Sequence, residues 1–141
     1  MKKEDFFNKY FLLALILLVL HGCKPENEVC INKLCYKVLI LDTPEERQLG
    51  LMNVDKLSND NGAFFIFEKE DKHSFWMKNV EYPIDVIWID ENQTVVHVVY
   101  NAEPCNNKCE IHSPNEKALY VLEVNINSDI KIGDHVDIKW L

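Results

Sequence analysis

The sequence predicts an all-β domain, a compact sandwich or barrel carrying one short helix. Three observations lead there. Apolar runs rich in Val, Ile, Phe, Tyr and Trp recur along the chain at strand length. Polar clusters such as Ser58-Asn-Asp-Asn-Gly62 and Asp90-Glu-Asn-Gln93 separate those runs. Only one segment carries the signals of a helix start. Many short strands joined by polar turns are the pattern of a sandwich or barrel. At 141 residues the chain suits one domain with a modest core, and it holds no repeat or low-complexity tract.

The first 22 residues are of another kind. Lys2, Lys3 and Lys9 precede or flank an unbroken apolar run from Tyr10 to Leu20. As a helix that run measures about 17 Å, short of a hydrocarbon core of about 30 Å, and it fits a signal peptide better than a membrane span. Leu20-His21-Gly22-Cys23 resembles the bacterial lipobox, although His21 replaces the small or aliphatic residue usual at its position. The expectation is a signal peptide over 1–22, lipidation at Cys23, a tether over 23–28 and a single β domain over 29–141. The protein would then be a lipoprotein of the bacterial cell envelope, held to the membrane by its N-terminal lipid, with the domain outside the cytoplasm. Residues 1–22 carry +3 and −2 of a net −8, so the remainder carries about −9. Such an acidic domain is repelled by nucleic acid and by anionic headgroups, so no nucleic-acid partner is expected.

Four cysteines follow Cys23. Val29-Cys-Ile-Asn-Lys-Leu-Cys-Tyr36 reads as two strands around the turn Asn32-Lys33, with Asn suited to positive φ. That register sets Cys30 opposite Cys35 in the close kind of antiparallel pair, within disulfide reach. Cys105 and Cys109 would close a second small ring. A four-cysteine zinc site is the rival, but an exported domain favours disulfides, and neither metal nor cofactor is expected.

Leu34 to Leu41 is an apolar strand. In the helical segment after it, Thr43 is placed as N-cap, Pro44 at the first helical position and Glu46 as the partner in a capping box, with Gly50 as the stop. Ala63 to Phe67 suits a strand buried on both faces, and His73 to Met77 reads as its return strand. Ile84 to Asp90 and Thr94 to Tyr100 form a hairpin. The loop from Asn101 to Lys117 holds both later cysteines, and Ala118 to Ile126 and His135 to Trp140 are the last strands. In the first of these, Tyr120, Leu122, Val124 and Ile126 share one face, and Glu123 lies on the other.

The polar residues that stand out are Lys78, Asn79, Asp85 and Glu123, set among apolar neighbours, together with Trp76. Lys78 could meet an anion or act as a desolvated nucleophile. Its structural alternative is a salt bridge to Asp85 or Glu123. Asn79 can bind a ligand or close a turn, and Asn closes local backbone turns readily. A buried Asp85 needs a partner, and Lys78 is the nearest in sequence. Asp85 and Glu123 could also form the acid/base pair of a sugar hydrolase. Trp76 could stack on a ring or fill the core. Met77 with His73 could hold soft copper, although a core Met is commoner. His97, between valines, is a sheet residue.

Arg47-Gln-Leu-Gly-Leu-Met52, Gly62-Ala-Phe-Phe-Ile-Phe67, Phe75-Trp-Met-Lys-Asn79, Pro83-Ile-Asp85, Ala102-Glu-Pro-Cys105 and Tyr120-Val-Leu-Glu-Val-Asn125, in that order, resemble the domain-of-unknown-function family 192. The resemblance spans about Cys35 to Ile138. It implies a small exported or membrane-anchored β protein of jelly-roll-like fold, and it implies no activity or substrate. His112 stands where the family often has an aromatic residue.

Three function classes follow. The leading one is a lipid-anchored binding or accessory module of the envelope. It would be monomeric, taking an unknown small molecule or envelope component in a pocket of Trp76, Lys78, Asn79, Asp85 and Glu123. The others are an enzyme acting on an envelope polymer through Asp85 and Glu123, and a structural scaffold. No nucleophile–base–orienter set can be assembled, so no catalytic residue is assigned.

Overall fold

The structure is a computed structural model that describes residues 27–139. The segment 1–22 expected to be a signal peptide, and Cys23, expected to be lipidated, lie outside the described residues. Within them are seven strands and one helix: β1 (Glu28–Ile31), β2 (Leu34–Leu41), α1 (Pro44–Leu49), β3 (Asn61–Asp71), β4 (Ile84–Ile89), β5 (Val95–Ala102), β6 (Ala118–Asn125) and β7 (Val136–Lys139). The fold is all-β, as expected. Its strands form a single mixed sheet, ordered β5-β4-β6-β3-β2-β1-β7 and curled into a half-barrel.

Local chemistry sets the first turn of the chain. Asn32 takes φ 58°, so the two-residue turn closes and Cys30 faces Cys35, with their Cα atoms 4.0 Å apart and a disulfide between them. The capping box forms as expected: the Thr43 hydroxyl accepts from the Glu46 amide, and the Glu46 carboxylate accepts from the Thr43 amide at 3.1 Å. Glu46 is held below its ordinary pKa by these hydrogen bonds from Thr43. Gly50, at φ 51°, stops the helix. The helix lies in the connection between β2 and β3, which are parallel; parallel neighbours cannot be joined by a tight hairpin and need such a crossover.

Two apolar clusters cover the two faces of the sheet. One joins Phe65, Val86, Trp88 and Val121 to Leu51, Met77, Val80 and Tyr82. The other joins Phe64, Ile87, Ile89, Leu122 and Val124 to Val29, Ile31, Ile130 and Val136. Strand β4, buried along its whole length, feeds both by alternation. The expected return strand over His73–Met77 is not a regular strand. Phe75 makes an isolated bridge to His112 and Lys78 one to Cys105, so this stretch pairs with the long loop after β5 and lies outside the main sheet.

Candidate functional site

The stretch from His73 to Val80 is pinned at both ends and in the middle. The His73 ring stacks on Phe67 at 3.5 Å between centroids, and burial there holds its pKa below the ordinary value. The His73 carbonyl accepts from Trp88 Nε1 at 2.8 Å. Phe75 packs edge-on to Phe65 and Trp88, and its amide and carbonyl both pair with His112 at 2.8 Å. The Cys105 amide donates to the Met77 carbonyl, and the Asn79 amide donates to the Cys105 carbonyl, both at 3.1 Å. The Cys105–Cys109 disulfide closes the loop that supplies these contacts.

Alternation then decides which side chains face inward. Met77 and Val80 are buried, whereas Trp76 and Lys78 project outward. Trp76 is 43% exposed, so its role is not that of a core residue. The Lys78 ammonium sits 5.3 Å from the centroid of the Trp76 ring. Asn79 takes φ 57° and its carbonyl accepts from the Asn53 amide, the turn-closing role that its side-chain type suits.

Lys78 does not pair with Asp85. Asp85 is 1% exposed, and its carboxylate accepts from the Ser128 amide (3.0 Å), the Ser128 hydroxyl (2.8 Å) and the Asn101 amide (2.9 Å). Two backbone amides and a hydroxyl neutralise a buried carboxylate as a cation would, so a salt bridge is not needed there. Burial of the Tyr36 hydroxyl, and after it the charge of Asp85, raise the pKa of Tyr36 above its ordinary value. Nor do Asp85 and Glu123 meet. Glu123 stands opposite Val86 in the β4–β6 ladder and Asp85 opposite Val124, so the two carboxylates lie on opposite faces of the sheet. The five residues expected to share one pocket are therefore divided, with Asp85 serving the fold.

Glu123 is the unusual member. It is 4% exposed; its backbone belongs to the β3–β6 and β4–β6 ladders, but among the described residues its carboxyl group has no protein hydrogen bond or ion pair and opens onto solvent at a cleft. Burial in these apolar surroundings pushes its pKa from 4.5 up to about 8. Its place is fixed from β3: a Cβ added at Gly62 would stand 3.0 Å from the Glu123 carbonyl, so glycine permits the two strands to approach there. Glu123 lines a small cleft with Trp76, Lys78, Arg47, Gln48 and Phe75, whose water-accessible space is about 30 Å³. Two larger hollows, one of about 610 Å³ beside Tyr36 and Asn125 and one of about 330 Å³ beside Met77, Tyr100 and His112, are lined by neither Trp76 nor Lys78.

Arg47 and Gln48 escaped the sequence reading. The Arg47 guanidinium donates to the carbonyls of Asp42 and Ile66 and lies 5.1 Å from the Phe67 centroid, which sets α1 against β3 at the mouth of the cleft. Their signal was the Arg47–Met52 motif, whose position in the helix was visible and whose spatial neighbours were not. His73 and Met77 are not brought to a common metal, since His73 is engaged with Phe67 and the Lys69 carbonyl and Met77 is buried. His97 packs against Trp88 across the β4–β5 ladder.

The model of the DUF192 family, described as an uncharacterized ACR, matches residues 27–138. The chain belongs to this family. Two solved structures share the fold. A Sinorhizobium meliloti 1021 protein, provisionally described as a transcription regulator, has a TM-score of 0.75 at 25% identity, with 81% of this chain and 94% of that chain covered. A Novosphingobium aromaticivorans DSM 12444 protein of unknown function has a TM-score of 0.71 at 26% identity, with 78% and 83% covered. Comparison with curated proteins finds no match. The two disulfides of this DUF192 domain point to an oxidising, extracytoplasmic location. No helix among the described residues is long and apolar enough to cross a membrane.

Proposed function

We propose that this DUF192 domain is a lipid-anchored binding or accessory module of the cell envelope, and that the cleft of Trp76, Lys78 and Glu123 is its ligand site. One observation carries the reading. The carboxyl group of Glu123, on a residue only 4% exposed, has no protein hydrogen-bond partner among the described residues and opens onto a cleft beside an exposed tryptophan. With no protein partner, the carboxyl relies on water at the cleft, a place that a ligand hydrogen-bonding group can take. A scaffold would gain more from an apolar residue at that position. The hydrolase reading needs a second carboxylate across the cleft, and Asp85 is on the other face of the sheet.

The description attached to the Sinorhizobium protein is not carried over to this chain. A net charge of −8 opposes contact with a phosphate backbone, and disulfides suit a compartment without DNA. The test is a thermal-shift screen of the full chain and its Trp76→Ala variant against envelope fragments and small metabolites. The reading expects at least one compound that raises the melting temperature of the wild type and not of the variant. If every stabilising compound acts equally on both proteins, the cleft is not the site.

A further inference from the structure

Resting on that reading of the cleft, we infer that its ligand is a neutral polyhydroxylated ring of the sugar class. One of its hydroxyl groups would reach the Glu123 carboxyl, and the ring would lie on Trp76. Size is the first argument. The space beside Glu123, about 30 Å³, admits one or two water-sized groups, which means a hydroxyl or hydroxymethyl and not a ring. The body of the ligand therefore stays at the mouth, where Trp76 offers a large exposed aromatic surface.

Charge is the second argument. Lys78 and Arg47 both line the cleft, so a cationic head would approach two cations. An anionic head reaching the base would be desolvated among Phe65, Phe75, Leu51 and Val80, beside a carboxyl group already disfavoured as an ion. A neutral ligand meets neither penalty.

Hydrogen-bond chemistry is the third. A carboxyl that keeps its proton offers one donor and an adjacent acceptor, and a hydroxyl group offers the same pair in reverse. The match is reciprocal, and it satisfies Glu123 with no change of charge. Gln48 and the Lys78 ammonium, at the same cleft, are suited to further ring hydroxyls. Lys78 is exposed and flexible enough to turn from the indole towards the ring.

The test is isothermal titration of the full chain, solubilised in a detergent without a sugar headgroup. The probes are N-acetylated chitotriose (hereafter chitotriose) as the neutral ring, glucosamine as a cationic one and galacturonate as an anionic one. Chitotriose is expected to bind best. Trp76→Ala should weaken it about tenfold or more, the loss corresponding to a stacked aromatic contact of about 1.4 kcal/mol. Glu123→Ala should also weaken it about tenfold, whereas Glu123→Gln, which keeps a donor and an acceptor, should stay within about threefold of wild type. If a charged probe binds best and still requires Trp76, the neutral character of the ligand is overturned and the cleft stands as a site. If chitotriose binds equally to wild type and Trp76→Ala, or does not bind, the inference fails; the broader thermal-shift screen then decides separately whether the cleft binds anything.

Discussion

Replacing Glu123 by glutamine is predicted to stabilise the folded domain at neutral and alkaline pH and to change little in acid. Burial raises the carboxyl pKa from 4.5 to about 8 in the folded state. In the unfolded chain it ionises near its ordinary value. Between those two values the folded protein holds a proton that the unfolded chain has lost, so stability falls as pH rises. The slope approaches about 1.4 kcal/mol per pH unit and flattens above pH about 8. At pH 7 the penalty is about 3 kcal/mol, and across the whole window it is about 5 kcal/mol. Domains of this size are stable by roughly 5–15 kcal/mol, so the effect is large. Glutamine has almost the same shape and carries no charge at any pH. Urea unfolding of both proteins at pH 5, 7 and 9 gives the difference curve, in which the other titrating groups cancel. The advantage of Glu123→Gln should grow by about 4 kcal/mol from pH 5 to pH 9. A difference constant to within about 0.5 kcal/mol would refute the reasoning, because Glu123 would then ionise alike in both states.

Three further predictions follow from the same geometry and sequence. Asp85→Ala should destabilise by roughly 3 kcal/mol or more, since the Ser128 and Asn101 donors lose a charged acceptor, whereas Lys78→Ala should cost about 0–1 kcal/mol; chemical denaturation of the double variant should show additive effects, and a recovery there would reinstate a Lys78–Asp85 pair. Replacing both Cys105 and Cys109 by serine should lower stability by about 2 kcal/mol and speed hydrogen exchange at the Phe75 and Asn79 amides; unchanged exchange at those two amides would show that the loop does not hold the 73–80 stretch. Mass spectrometry of membrane-extracted protein should find an acylated Cys23 at the N-terminus, absent from Cys23→Ala, and release of the wild type as a soluble acyl-free chain would contradict the lipoprotein reading.

Local physics was legible in the sequence, and long-range register was not. The turn at Asn32-Lys33, its disulfide, the Leu34–Leu41 strand and the Thr43–Glu46 capping box each depend on residues a few positions apart, and each forms as expected. The partner of Asp85 depends on Ser128, 43 residues away, and sequence proximity pointed to Lys78 instead. The alternation that separates Asp85 from Glu123 was visible within each strand. Which residue of β4 stands opposite which residue of β6 was not, and that register places them on different faces. His73–Met77 carries a strand-like composition, but its partners are Cys105 and His112 in a loop, so it forms isolated bridges. The other seven expected strands form, whereas their union in a single curled sheet depends on the β1–β7 and β2–β3 pairings, which no local signal marks.

The pairing of β1 with β7 leaves one edge of the first hairpin to be covered by the last strand. Val29 and Ile31 stand opposite Ile138 and Val136, and Val136 donates its amide to Gln93, so one strand ties the start of the chain to its middle. A chain threaded across a membrane from its N-terminus would leave β1 with an open edge until Lys139 had passed. Closing so long a loop comes late in folding, so this edge is covered after the local pairings have formed. A chain cut short before Val136 would expose the edge of β1, whereas the complete sheet ends there on β7, a four-residue strand whose exposed Asp137 and Lys139 make a poor template for strands of other molecules.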